Sequence, residues 1–129
     1  MSVSNNPSII SNGLVLALDA ADKNSYPGSG TAWTDLSGNG NNGTLINGPT
    51  FNTGSLGNIV FDGVDDYGTT LLTRTGTNNT TISVWYRWNG TSQTSFITYL
   101  GNQSGTGMGY IVTGKHIIVT GKQIGRAHV

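Results

Sequence analysis

The run from Thr80 to Trp88 constrains this chain more than any other. Ile82, Val84, Tyr86 and Trp88 alternate with Thr81, Ser83, Trp85 and Arg87. A repeat of two fits a strand, whose side chains point to opposite faces in turn, and does not fit a helix. One apolar and one polar face is the pattern of a half-buried antiparallel strand, and such a strand needs partners. The chain offers short β-branched or apolar runs at Leu14–Leu18, Thr44–Ile46, Asn58–Phe61, Tyr67–Leu72 and Ser95–Leu100, separated by turn residues such as Asn12-Gly13, Asn47-Gly48-Pro49 and Asn89-Gly90. Leu14–Leu18 is apolar on both faces, which suits a strand covered on each side. Twenty glycines, abundant Thr, Asn and Ser, and few good helix formers predict an all-β fold of short strands and many turns.

The stretch from Trp33 to Tyr67 organises the rest. Its first part, Asp35-Leu36-Ser37-Gly38-Asn39-Gly40-Asn41-Asn42-Gly43, is built from residues that tolerate positive φ and reads as a compact, specified loop. Its last part, Phe61-Asp62-Gly63-Val64-Asp65-Asp66-Tyr67, is a strand end running into an acidic turn. Four of the six acids (Asp35, Asp62, Asp65 and Asp66) lie in this stretch, and none of the six basic residues does.

Composition excludes several functions. Formal net charge is zero and charged residues make up 9% of the chain, so a nucleic-acid partner has no electrostatic footprint. The absence of cysteine removes disulfides, cysteine-zinc sites and thiol nucleophiles. Met1–Ile10 has neither the basic start nor the apolar core of a signal peptide. No apolar run approaches the ~20 residues that span a bilayer, so membrane insertion is not expected.

The tail repeats itself: Ile111-Val112-Thr113-Gly114-Lys115 recurs as Ile118-Val119-Thr120-Gly121-Lys122. Gly114-Lys115 fits a two-residue hairpin turn. The last six residues, Ile124 to Val129, can be back-translated as ATC GGA AGA GCA CAC GTC, which matches the start of a common sequencing-library adapter. The expected division is therefore a polar lead-in at 1–12, a partial β-sandwich at 13–123 and an adapter-derived ending at 124–129. A genomic copy encoding this ending before a native stop codon would refute the adapter origin. On this reading Arg126 and His128 carry no site argument, and a two-sheet sandwich lacks strands, since such domains run to about 200–250 residues.

Several landmarks now fall in order: Gly13-Leu14-Val15-Leu16-Ala17-Leu18-Asp19-Ala20-Ala21, then Ser25-Tyr26-Pro27-Gly28-Ser29-Gly30-Thr31 and Trp33, then Asp35 to Leu45, Phe61 to Tyr67, and Thr81 to Tyr86. Together they resemble the opening of laminin-G-like domains of the concanavalin A-like lectin/glucanase superfamily, over Gly13 to about Leu100. The variant with these motifs is similar to domains of bacteriophage structural proteins and large bacterial surface proteins. The resemblance implies an antiparallel two-sheet jelly-roll sandwich, incomplete at its C-terminus, in a non-catalytic module that binds carbohydrate or protein. The implied setting is a virion or the cell surface, within a larger assembly that can be oligomeric. A purely structural virion or adhesin domain is one alternative. A fragment of a glycoside hydrolase whose carboxylates are missing is another. Fold alone does not decide among them.

The residues bear on that choice. The superfamily's glycosidases use a Glu-x-Asp-x-x-Glu pattern, whereas this chain contains no glutamate, and hydrolysis needs a carboxyl pair flanking the scissile bond. Asp65 and Asp66 are adjacent, and on a strand they would point to opposite faces, so no catalytic residue is assigned. Asp62, Asp65 and Asp66 could ligate calcium, with Asp35 or Asp19 added, because hard cations take several oxygen ligands. Equally, these carboxylates could accept backbone N–H bonds and fix their own turn. Asp35, Asn39, Asn41 and Asn42 could face a sugar, or could bond to their own loop. Core packing is the expectation for Trp33, Trp85 and Trp88. Trp85, flanked on its face by Ser83 and Arg87, is the first exception to look for and the candidate to stack on a pyranose. His116 has no partner histidine or cysteine and reads as a strand-end residue.

Overall fold

A computed structural model of the chain describes residues 11–73, 81–88, 94–102, 106–113, 117–119 and 123–126. The early strands are β1 (Leu14–Leu18), β2 (Ala32–Trp33), β3 (Gly43–Ile46), β4 (Thr50–Asn52), β5 (Asn58–Val60) and β6 (Tyr67–Thr70). They are followed by β7 (Thr81–Ser83), β8 (Tyr86–Trp88), β9 (Thr94–Asn102), β10 (Thr106–Thr113), β11 (Ile117–Val119) and β12 (Gln123–Arg126). A single 3₁₀ turn at Gly54–Leu56 is the helical element among the described residues. Every pairing is antiparallel. The fold is all-β.

The strands pair in the orders β1-β12-β7, β4-β5-β11-β8, β2-β3-β6 and β9-β10. Three of these sheets contribute to one core: Leu16 and Leu18 of β1, Trp33 of β2, Leu45 of β3 and Ile59 of β5, with Ala20 and Tyr26 from the loop after β1. Phe51, Phe61, Leu72 and Val84 pack against its margin. Where one face of a strand meets the core, alternate residues reach inward, as the pleat requires. β3 is a clear case, with Gly43 and Leu45 buried and Thr44 exposed between them.

Two residues show how tightly the core closes. A Cβ at Gly43 would sit 3.2 Å from the Trp33 Cβ, 3.3 Å from the Thr69 carbonyl and 3.4 Å from a Leu18 methyl, so the centre of the β2-β3-β6 sheet has no room for a side chain. Tyr26 stacks obliquely on Phe51 with ring centroids 5.4 Å apart. Its hydroxyl donates to the Gly30 carbonyl at 2.9 Å, so the buried ring keeps its polar tip satisfied. Burial pushes the Tyr26 phenol above its ordinary pKa.

Three expectations need correction. Thr80–Trp88 is not one strand: Thr81–Ser83 pairs with β12, and Tyr86–Trp88 pairs with β11. Ser83 faces Ile124 and Tyr86 faces Val119. Two positions of sequence separate Ser83 from Tyr86, whereas four separate Val119 from Ile124, so one register cannot run through both pairings. The predicted hairpin around Gly114-Lys115 does not form as a ladder either. β10 pairs with β9, while β11 pairs with β5 and β8. Finally, Leu14–Leu18 is covered on both faces only from Leu16 onward: Leu16, Ala17 and Leu18 are buried, whereas Val15 is exposed. The segment 123–126, read from sequence as partly adapter-derived, forms β12 between β1 and β7. Gly114, Lys115, His116 and His128 lie outside the described residues.

Candidate functional site

The loop 35–42 lies along the edge of β1 that β12 leaves open. Asp35 is buried. Its Oδ1 accepts the N–H groups of Ala17 and Ser37, both at 2.9 Å. Its Oδ2 accepts the Ser37 hydroxyl at 2.8 Å and the Asn41 N–H at 3.0 Å. The Leu36 N–H donates to the Ala17 carbonyl at 2.8 Å, so both backbone groups of Ala17 are satisfied by this loop. The Asn39 side-chain amide donates to the Leu14 carbonyl at 2.9 Å, and that of Asn41 to the Val15 carbonyl at 2.8 Å. Asn42 accepts the Asp35 N–H at 2.9 Å. A bare strand edge invites foreign pairing, and here short amides and one carboxylate cover it.

The same contacts set the charge on Asp35. Burial works against its ionised form, but donors from Ala17, Ser37 and Asn41 outweigh that cost and hold its carboxyl below the ordinary aspartate range. Of the sequence-derived ligand candidates, Asp35, Asn39, Asn41 and Asn42 thus come together, and each is engaged in holding the loop to β1 or to itself.

The second cluster is the acidic turn between β5 and β6. Ligand oxygens of Asp62, Asp65 and Asp66 all lie within 4.8 Å of one another. Asp62 Oδ1 accepts the Val64 N–H at 2.8 Å and, at a long 3.4 Å, that of Asp65. Asp66 Oδ2 accepts the Asp62 N–H at 2.9 Å. Asn47, held at φ 69°, donates its amide to the Asp65 carbonyl at 2.8 Å and ties the turn to the loop after β3. The carboxylates of Asp62 and Asp66 thus fix their own turn, while the convergence of all three also concentrates like charge. Neither Asp19 nor Asp35 belongs to this cluster: Asp19 accepts the Ala21 N–H, and Asp35 serves β1.

The aromatic candidates separate. Trp33 is buried in the core. Trp85 is 70% exposed, in the break between β7 and β8, which corrects the core expectation for this residue. The adjacent Tyr86 is also exposed. The Trp88 side chain lies outside the described residues.

Ser25 was not singled out from sequence. It is fully buried, its Oγ accepting the Asp19 N–H at 3.0 Å and donating to the Thr34 carbonyl at 2.7 Å. It locks the end of β1 to the residue before Asp35. Ser25 opens the Ser25–Thr31 landmark, but that run gives no sign of these bonds, because folding brings both partners to it. Comparison with protein-family models, with curated proteins and with solved structures finds no match to this chain.

Proposed function

We propose that this chain is a non-catalytic binding module of the jelly-roll, concanavalin A-like type, recognising glycan or protein for a phage structural or bacterial surface protein. The observation that carries the reading is the exposure of Trp85. An indole in that position leaves on the order of 150 Å² of aromatic surface to water. Covering it would contribute up to a few kcal/mol at ~25 cal/mol per Å². Its flat face suits a pyranose ring, and Tyr86 beside it adds an exposed aromatic with a hydroxyl.

The test is a glycan array followed by titration calorimetry on the best-bound glycan, with the wild type and Trp85→Ala compared. Binding that Trp85→Ala abolishes supports the reading. An array without hits favours the purely structural virion or adhesin domain, and cleavage of a bound oligosaccharide favours the glycoside hydrolase.

Calcium at Asp62, Asp65 and Asp66 is a second reading, favoured by the convergence of their oxygens. One cation would relieve the mutual repulsion of three carboxylates, and calcium accepts carboxylate, carbonyl and water oxygens together. Thermal melts with calcium and with a chelator decide it. Coincident melts and a flat calcium titration would dismiss the ion.

A further inference from the structure

The turn-forming composition includes five Asn-Gly pairs, at Asn12, Asn39, Asn42, Asn47 and Asn89. The pair at Asn89 lies outside the described residues. This dipeptide has its own chemistry, because no Cβ on the second residue shields its backbone nitrogen. That nitrogen can attack the asparagine Cγ. A Cγ–N bond forms, the Cγ–NH₂ bond breaks, and ammonia leaves with the amide proton. Water then opens the resulting succinimide at either carbonyl, giving aspartate or isoaspartate with no change in oxidation state.

The surroundings of the described pairs differ. Gly43 sits in β3, between β2 and β6, with backbone and side-chain atoms within 3.4 Å of a would-be Cβ. Ring closure there must disturb a packed strand. Gly40 stands in a turn at φ 72° with nothing within 4 Å of the same point, and Asn39 is exposed. Gly13 and Gly48 are similarly open. The Asn47 amide also holds a backbone carbonyl, that of Asp65, but the amide of Asn39 holds the edge of β1. The Nδ2 donates to the Leu14 carbonyl at 2.9 Å and to Ser37 Oγ at 3.0 Å, and that hydroxyl donates onward to Asp35 Oδ2.

We propose that Asn39-Gly40 is a spontaneous deamidation site whose conversion unclasps the loop 35–42 from the edge of β1. The product carboxylate has no proton to give the Leu14 carbonyl. It also competes with Asp35 for the single Ser37 hydroxyl and brings a second negative charge beside the first. Isoaspartate moves the backbone path as well. Asn42 would respond differently even if converted, because its role is to accept the Asp35 N–H through Oδ1, and a carboxylate still accepts.

The experiment ages the full chain in mildly alkaline buffer and follows each Asn-Gly pair by peptide mapping that distinguishes isoaspartate, with amide hydrogen exchange at Ala17 read in parallel. The expected result is conversion at Asn39 several-fold faster than at Asn42, with faster Ala17 exchange in the converted protein. Gly40→Ala holds a Cβ at φ 72° and so starts from a strained loop with faster Ala17 exchange than wild type. It should slow conversion at Asn39 while leaving the pairs at Asn12 and Asn47 unchanged, and its Ala17 exchange should not rise further with ageing. Asn39→Asp, made directly, should show faster Ala17 exchange from the start. If that variant does not fold, the aged wild type supplies the same reading. The proposal is overturned if Asn42 converts before Asn39, or if Ala17 exchange is the same in unconverted and fully converted protein.

Discussion

Replacing Asp35 probes the clasp on β1 most directly. In Asp35→Ala the N–H groups of Ala17, Ser37 and Asn41 lose their acceptor together. A hydrogen bond to a charged group contributes about 1.5–3 kcal/mol, and a buried donor left alone costs about 1–3 kcal/mol. Ala17 is fully buried and cannot recruit water, whereas Ser37 and Asn41 are only half-buried and can. The expected loss is therefore about 3 kcal/mol rather than the full sum. That is a large share of the ~5–15 kcal/mol that stabilises a domain, and for a chain of this size it lowers Tm by roughly 10 °C.

Asp35→Asn separates shape from charge. The amide oxygen can still serve Ala17 and Ser37, but an NH₂ group replaces Oδ2 and meets the Asn41 N–H donor to donor. A loss of about 1–2 kcal/mol follows at neutral pH. The sign with pH is set by the depressed folded-state pKa of Asp35. Its contribution is fully present above the unfolded pKa of about 4. It is lost as pH falls through the lower folded value. Urea titrations of wild type and Asp35→Asn from about pH 7 to about pH 3 should show the stability gap narrowing on acidification. A gap that stays constant across that range, or an Asp35→Ala melt within about 1 °C of wild type, would refute the clasp.

Three further outcomes are expected. Ser25→Ala removes the part-buried partner of the Asp19 N–H and the Thr34 carbonyl, so chemical denaturation should report a loss of about 1–2 kcal/mol. Gly57→Ala must place a Cβ at φ 105°, 2.9 Å from the Phe51 ring and 3.4 Å from the Ala20 carbonyl, which should cost about 2 kcal/mol or more in the same assay. Trp85→Ala should leave stability within about 0.5 kcal/mol of wild type, because the side chain touches little of the fold. A large loss there would return Trp85 to the core.

Local signals located some strands and not others. β1 and most of β3, β5 and β6 are readable because each joins β-branched or apolar residues to a turn residue at its border. β2 and β4 are not, because two or three residues are too few to display a period. The run 80–88 has the right period, but alternation cannot reveal that its two halves pair with different strands in two sheets.

Composition and local pattern alone dictate an all-β chain, an anchoring Trp33 and specified turns at 35–42 and 62–66. Glycine, asparagine and aspartate act through their own and neighbouring backbone, and such chemistry is legible residue by residue. Only the tertiary structure decided what those turns hold. Asp35 is a buried acceptor for a strand 18 residues away, and the asparagines cover that strand's edge. The same structure turned Trp85 outward while Trp33 went in. Burial and long-range hydrogen bonding are properties of pairs brought together by folding, and no single stretch of sequence contains both members.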